Sequence, residues 1–103
     1  MSTVCLRVYV SESSRYQGKL TYEWLLDEAQ RLGIGGGSAF RALAGFGRHG
    51  RHDEGFFELA GELPVVVEFF LESVIAEQLL ASISQAGLKL IYAQFPAEIG
   101  ITQ

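Results

Sequence analysis

Two periodicities alternate along this chain, and their order constrains the fold more than any other feature. Residues 3–10 (TVCLRVYV) alternate strictly, with Val4, Leu6, Val8 and Val10 on one side and Thr3, Cys5, Arg7 and Tyr9 on the other. A period of two means a strand. The polar SESSRYQGK that follows reads as a loop. Thr21 then stands as an N-cap for a helix running to about residue 32, with Glu23 in its first turn and Gly33 as its stop. Tyr22, Leu25, Leu26, Ala29 and Leu32 form its apolar stripe. After the connection GIGGG, residues 38–46 return to alternation, with Phe40, Ala42, Ala44 and Phe46 set against Ala39, Arg41 and Leu43. FFELA at 56–60 is a short strand candidate, and LPVVVEFFL at 63–71 is the strongest strand of all, β-branched, aromatic and opened by Pro64. Ser73 caps a second helix to about residue 86, with Ile75, Leu79 and Ile83 at successive turns and Gly87 ending it. LKLIYAQF at 88–95 is a last strand.

The order β-α-β-β-α-β predicts a ferredoxin-like α+β sandwich, an antiparallel sheet with both helices on one face. Two helices cover only one face, yet the strands are apolar on both. Cys5, Tyr9, Leu43, Val66, Phe70 and one of Ile91 and Tyr92 are expected on the uncovered side. A contiguous patch of that kind marks an interface, so a homo-oligomer is expected. Arg7, Arg41 and Glu68 are expected to make ion pairs between copies across it, the alternative being a place near a cleft between copies.

The 103 residues suit one domain, 1–103, around one core. The most apolar run is of strand length and is interrupted by Glu68, well short of the roughly 20 residues that cross a bilayer, so no membrane insertion is expected. MSTVCLRVYV has no basic region followed by a long apolar one, which argues against a signal peptide. A lone Cys5 makes no internal disulfide and fits a reducing compartment, so the expected location is cytoplasmic. The net charge of −4 argues against a nucleic-acid partner. It is unevenly spread: residues 1–52 hold seven basic and four acidic side chains, residues 53–103 one and eight. The cluster RHGRH at 48–52 reads as a solvated loop or as a local site for one anion.

GFGRHG at 45–50 spells the glycine pattern of a dinucleotide-binding turn. That turn needs a strand before it and a helix N-terminus after it to hold the pyrophosphate. The strand is there, but the continuation RHDEGFFELAGELPVVVEF has no helical period. A Rossmann reading therefore fails. GIGGG at 33–37 lacks the Lys-Ser/Thr of a P-loop and reads as a connection.

The same residues resemble the PII signalling proteins, in which a G-F-G-R segment ends the second strand, a long loop follows, and an L-P segment opens the third. More closely, LRVYVSESSRYQG, TYEWLLDEA, GFG and ELPVVVEF, spanning residues 5 to about 92, resemble the PII-like family known as domain of unknown function 190. The resemblance implies the fold, a homotrimer, and a regulatory role with no catalytic residues. By analogy with PII, a small anionic ligand, with an adenine nucleotide as one candidate, would sit in a cleft between copies near Gly45, Phe46, Gly47, Arg48 and His49. Gly87 and Lys89 would approach from the turn before the last strand. The loop at about 48–62, with Arg51, His52, Asp53 and Glu54, would contact a target protein: a transporter, a channel or an enzyme. Val65 replaces the PII lysine after L-P, FPAEIGITQ has no cation to clamp phosphates, and the loop has no tyrosine to modify. These departures favour a nucleoside monophosphate or another small anion over a fully clamped triphosphate.

Other chemistries are less well served. His49 and His52 supply two metal ligands, which become a site only if symmetry multiplies them. Cys5 has no histidine beside it in sequence, and Asp27 and Glu28 read as a solvated face, so no nucleophile, base and orienter come together. Tyr22 and Trp24 are read as packing of the first helix.

Overall fold

A computed structural model describes residues 2–46 and 64–103. Its elements are β1 (Thr3–Ser11), β2 (Arg15–Tyr16), β3 (Lys19–Leu20), α1 (Thr21–Arg31), β4 (Gly37–Arg41), β5 (Pro64–Glu72), α2 (Ser73–Gln85) and β6 (Ile91–Pro96). The main sheet has the order β4-β5-β1-β6, with every neighbouring pair antiparallel. β5 thus splits the first βαβ unit and β1 the second, and both crossover helices pack on one face, which is the ferredoxin-like arrangement. FFELA and the rest of 47–63 lie outside the described residues.

The core is the apolar parity of the central strands closed by the helices. Leu6, Val8, Val67 and Phe69 from the sheet meet Leu25 from α1 and Ala76 and Leu79 from α2, all at most 1% exposed. The stripes read from the sequence do this packing: Ala29 and Ile83 are buried, and Tyr22, Leu26, Leu32 and Ile75 pack partly buried against the same cluster.

Both helices stop in the same way. Gly33 and Gly87 adopt φ of 85° and 79°, a region that excludes most side chains. Gly33 N–H donates to Gln30 and Ile34 N–H to Ala29; Gly87 N–H donates to Ser84 and Leu88 N–H to Ile83. This paired closure satisfies the last carbonyls and turns Ile34 and Leu88 back onto the core.

Three local expectations are corrected. Thr21 and Ser73 are the first helical residues rather than the caps, which are Leu20 and Glu72, and neither cap position makes a side-chain bond. Thr21 is instead fully buried, its hydroxyl 2.8 Å from that of Ser14. The expected loop at 11–19 holds the β2–β3 hairpin, turned by Gln17 and Gly18 at φ of 52° and 84°, the positive pair that a type I′ hairpin turn requires. Its Tyr16 ring meets Trp24 edge-on at 5.1 Å, so Trp24 packs α1 against the hairpin. β6 begins at Ile91 rather than residue 88, because the turn after Gly87 consumes Leu88 to Leu90.

The parity of β4 is also the reverse of that expected, and the strand is shorter. Gly37 lies opposite Phe69, and a Cβ there would stand 2.6 Å from the Phe69 ring. Only glycine admits that approach, so Gly37 takes the helix-facing parity and Ala39 and Arg41 follow it. Phe40 is thereby turned to the open face, 52% exposed. Arg41, expected to pair with another copy across that face, bonds Glu12 of its own chain from the other side. Leu43 lies beyond the strand end.

Candidate functional site

The chain leaves the sheet after Arg41 and returns at Pro64. Arg41 is paired with Val65, and Ala42 N–H donates to the Pro64 carbonyl at 3.0 Å. The segment between these residues therefore starts and finishes at one place on the sheet. Ser11, at the end of β1, lies opposite Pro64, and the Glu12–Arg41 ion pair ties the next residue of the chain to the end of β4. The guanidinium of Arg41 is held still more firmly protonated by its hydrogen bond to Glu12.

Of the residues assigned to a ligand by resemblance, Gly45 and Phe46 stand on the outgoing arm. Phe46 is 88% exposed, and nothing lies within 4 Å of where a Gly45 side chain would begin. Gly87 and the exposed Lys89 lie in the turn before β6. Gly47, Arg48, His49, Arg51, His52, Asp53 and Glu54 lie outside the described residues.

The two described groups share an end of the sheet, because Tyr9 is in register with both Ile91, which opens β6, and Val66, near the start of β5. They occupy opposite edges of it. β4 and β6 are separated by β5 and β1, three inter-strand spacings, or roughly 14 Å. Gly87 has a sufficient local reason to be glycine, since it ends α2.

The face left bare by the helices carries Cys5, Arg7 and Tyr9 from β1, with Val66, Glu68 and Phe70 opposite them on β5. Ile91, not Tyr92, shares this parity, as do Ala93 and Phe95. Phe40, Phe70, Ile91 and Phe95 are each more than 40% exposed. Arg7 and Glu68, expected to pair between copies, bond each other, Nε to Oε2 at 2.8 Å. Cys5 is 1% exposed, and its thiol is pushed up from its ordinary pKa, first by burial and then by the Glu68 charge. A thiol so placed is a poor nucleophile.

Away from this end, Leu26, Ala29, Gln30, Ile34, Gly35, Gly36, Gly37 and Phe69 line an open cavity of about 350 Å³ between α1 and the start of β4. Sequence reasoning read GIGGG as a connection and missed this cavity; its one signal was the run of residues without side chains. Among the described residues no three His, Cys, Asp or Glu side chains stand together as a metal site, and no helix is long and apolar enough to cross a membrane.

The model of the family described as Uncharacterized ACR, COG1993 (DUF190) matches residues 3–90. A UPF0166 protein of Aquifex aeolicus (strain VF5) is 40% identical over 68 residues, 65% of this chain and 65% of its own length. A second UPF0166 protein, from Methanocaldococcus jannaschii, is 30% identical over 63 residues, 61% of this chain and 58% of its own. The chain thus spans less than two thirds of either relative. A crystal structure from Thermus thermophilus, of a protein proposed to be a PII-like signalling protein, superposes with a TM-score of 0.58 over 93% of this chain and 88% of that one. At 20% identity it shows a shared fold.

Proposed function

The chain belongs to the DUF190 family, and from that premise we propose that it is a PII-like regulatory protein of the cytoplasm. It assembles as a homotrimer, binds a small anionic ligand in clefts between copies, and contacts a target protein through the segment at 48–62. The observation that carries this reading is the placement of the two candidate ligand groups. Gly45 and Phe46 leave one edge of the sheet, while Gly87 and Lys89 stand at the other edge of the same end. A ligand touching both sets needs them from neighbouring copies, edge to edge. Such a contact uses two different surfaces, and it generates a ring when the rotation closes.

The bare apolar face favours self-association as well, since exposed aromatic patches of this kind mark contact surfaces. The arm starting at Gly45 leads directly into Arg48, whose planar guanidinium suits a phosphate or carboxylate. Glu12 already engages Arg41 at the base of the arm, and Arg48, Arg51 and Lys89 are the candidate cations for an anion.

Thermal unfolding against adenine nucleotides, cyclic dinucleotides, bicarbonate and divalent metals tests the proposal. A ligand at 100 times its Kd adds about 2.7 kcal/mol to the folded state, a shift of several degrees for a domain of this size. Stabilisation by one anion that vanishes in Arg48→Ala supports it. Stabilisation by a metal alone, lost in His49→Ala, replaces it with a metal-binding trimer, and no shift with anything leaves a ligand-free interaction module.

A further inference from the structure

β4 is an edge strand, and all five of its residues are exposed. The Ala42 N–H points toward β5, at the Pro64 carbonyl. Backbone groups alternate along an antiparallel strand, so Gly37, Ala39 and Arg41 turn their N–H and C=O groups outward, away from β5. An edge of this kind invites another strand unless charge, proline or a bulge blocks it. Gly37, Ser38 and Ala39 bring neither charge nor proline, and their register with β5 runs without a bulge. Arg41, the one charge on the strand, is engaged by Glu12.

On its helix side the start of this edge opens into the cavity of about 350 Å³. Ala29, Ile34 and Phe69 form a buried apolar floor, and the lining carries no charged side chain. Gly35 and Gly36 keep the opening wide, with nothing within 4 Å of where either Cβ would stand. A residue set beside Gly37 on an added strand points its side chain to the same face, toward this cavity. The side chain that suits it is aliphatic.

A segment of that character follows β6. The Ala97 N–H still donates to the Thr3 carbonyl, and residues 98–103 are exposed throughout. Ile99 and Ile101, 58% and 93% exposed, alternate with Glu98, Gly100 and Thr102, the pattern of a strand with one apolar side. The segment leaves the end of the sheet at which β4 begins, because Gly37, Phe69, Leu6 and Gln94 stand in one row and Pro96 lies just beyond it. β4 and β6 are opposite edges, however, and within one chain both isoleucines stay in solvent. Segment and groove come together when one copy stands edge to edge with the next.

We propose that residues 97–103 of each copy add as a short strand to the free edge of β4 in the next copy, with Ile99 and Ile101 on the cavity side. This rests on the trimeric reading above and goes beyond it by naming the segment exchanged. Every copy gives one strand and receives one, so the contact is head to tail and closes as a ring.

Disulfide trapping in the full chain tests it, while sedimentation velocity of the wild type reads the trimer separately. Gly36→Cys/Ile99→Cys or Gly36→Cys/Ile101→Cys, mildly oxidised, is expected to give covalent trimers on a non-reducing gel. Each single cysteine variant is expected to give none, because a head-to-tail contact never sets residue 36 against itself. The native Cys5 is buried and does not compete. If Gly36→Cys does not unfold cooperatively, Gly35→Cys, equally open, replaces it. A trimeric wild type whose double variants stay unlinked, or close the bond within one chain, overturns the exchange and leaves the trimer standing. A monomeric wild type overturns the trimer itself, and the exchange with it.

Discussion

The Ala42 amide donates to the Pro64 carbonyl at 3.0 Å, closing the mouth of the segment that carries GFGRHG. It is reinforced by the Arg41–Val65 pairing and by the Arg41–Glu12 ion pair beside it. The outgoing arm with Gly45 and the return at Pro64 are thus held to one sheet corner, and a change within the arm can act on a ligand without disturbing the core.

Arg48→Ala is accordingly expected to abolish the thermal shift given by the stabilising anion while leaving the unliganded protein folded and trimeric. Differential scanning fluorimetry with and without ligand reads the first, and sedimentation velocity the second. A variant that keeps the full shift removes Arg48 from the site.

Gly37→Ala should destabilise by about 1–3 kcal/mol, the usual range for overpacking, because the added methyl meets the Phe69 ring at 2.6 Å and Leu26 at 3.3 Å. Gly35→Ala and Gly36→Ala place a methyl in open space and are expected to be near neutral. Urea unfolding of the three variants separates them, and equal effects would contradict the close approach that sets the parity of β4.

Glu28 accepts two hydrogen bonds from Arg31 and reaches Ser82 on α2. Its carboxyl is held below the ordinary carboxylate value, chiefly by the Arg31 hydrogen bond. A depressed folded-state pKa stabilises above the unfolded pKa, and that stability is lost as pH falls through the folded value. Glu28→Gln should therefore cost stability at neutral pH, and the gap to wild type should close as pH is lowered below about 4.5 toward the folded value. A gap independent of pH in urea titrations would show that the carboxylate charge contributes nothing.

Cys5 is expected to resist a thiol reagent in the folded protein and to react fully once unfolded, since burial and Glu68 both disfavour its thiolate. Mass spectrometry after alkylation with and without denaturant reads this. Rapid labelling of the native protein would show that the site around Cys5 opens readily.

Much of this architecture was legible in the sequence, because long two-sided strands and paired helix stripes carry strong periodicity. Val4 to Val10 and Pro64 to Leu71 landed on the expected faces, and Leu25, Leu79 and Ile83 in the core. β4 did not, because alternation of Phe40 with Arg41 reports a period and not which parity is inward. The deciding contact, Gly37 against Phe69, is 32 residues apart in the chain. The β2–β3 hairpin was too short to show a period, although Gln17-Gly18 marked its turn. The meeting of Arg7, Glu68 and Cys5 depends on cross-strand register, which neither strand encodes alone. Of the candidate ligand residues, Gly45, Phe46, Gly87 and Lys89 lie at one end of the sheet, a placement that no single stretch of the chain encodes. The basic cluster that would decide the ligand lies outside the described residues.

Native mass spectrometry of the wild type with added adenosine monophosphate tests the central claim most directly, because one spectrum reports both assembly and occupancy. A ligand-binding homotrimer gives ions at three times the 11.3 kDa chain, carrying up to three ligands, one for each cleft between copies. Ions of the single chain, or trimers that remain bare with this and every other small anion tried, would contradict it.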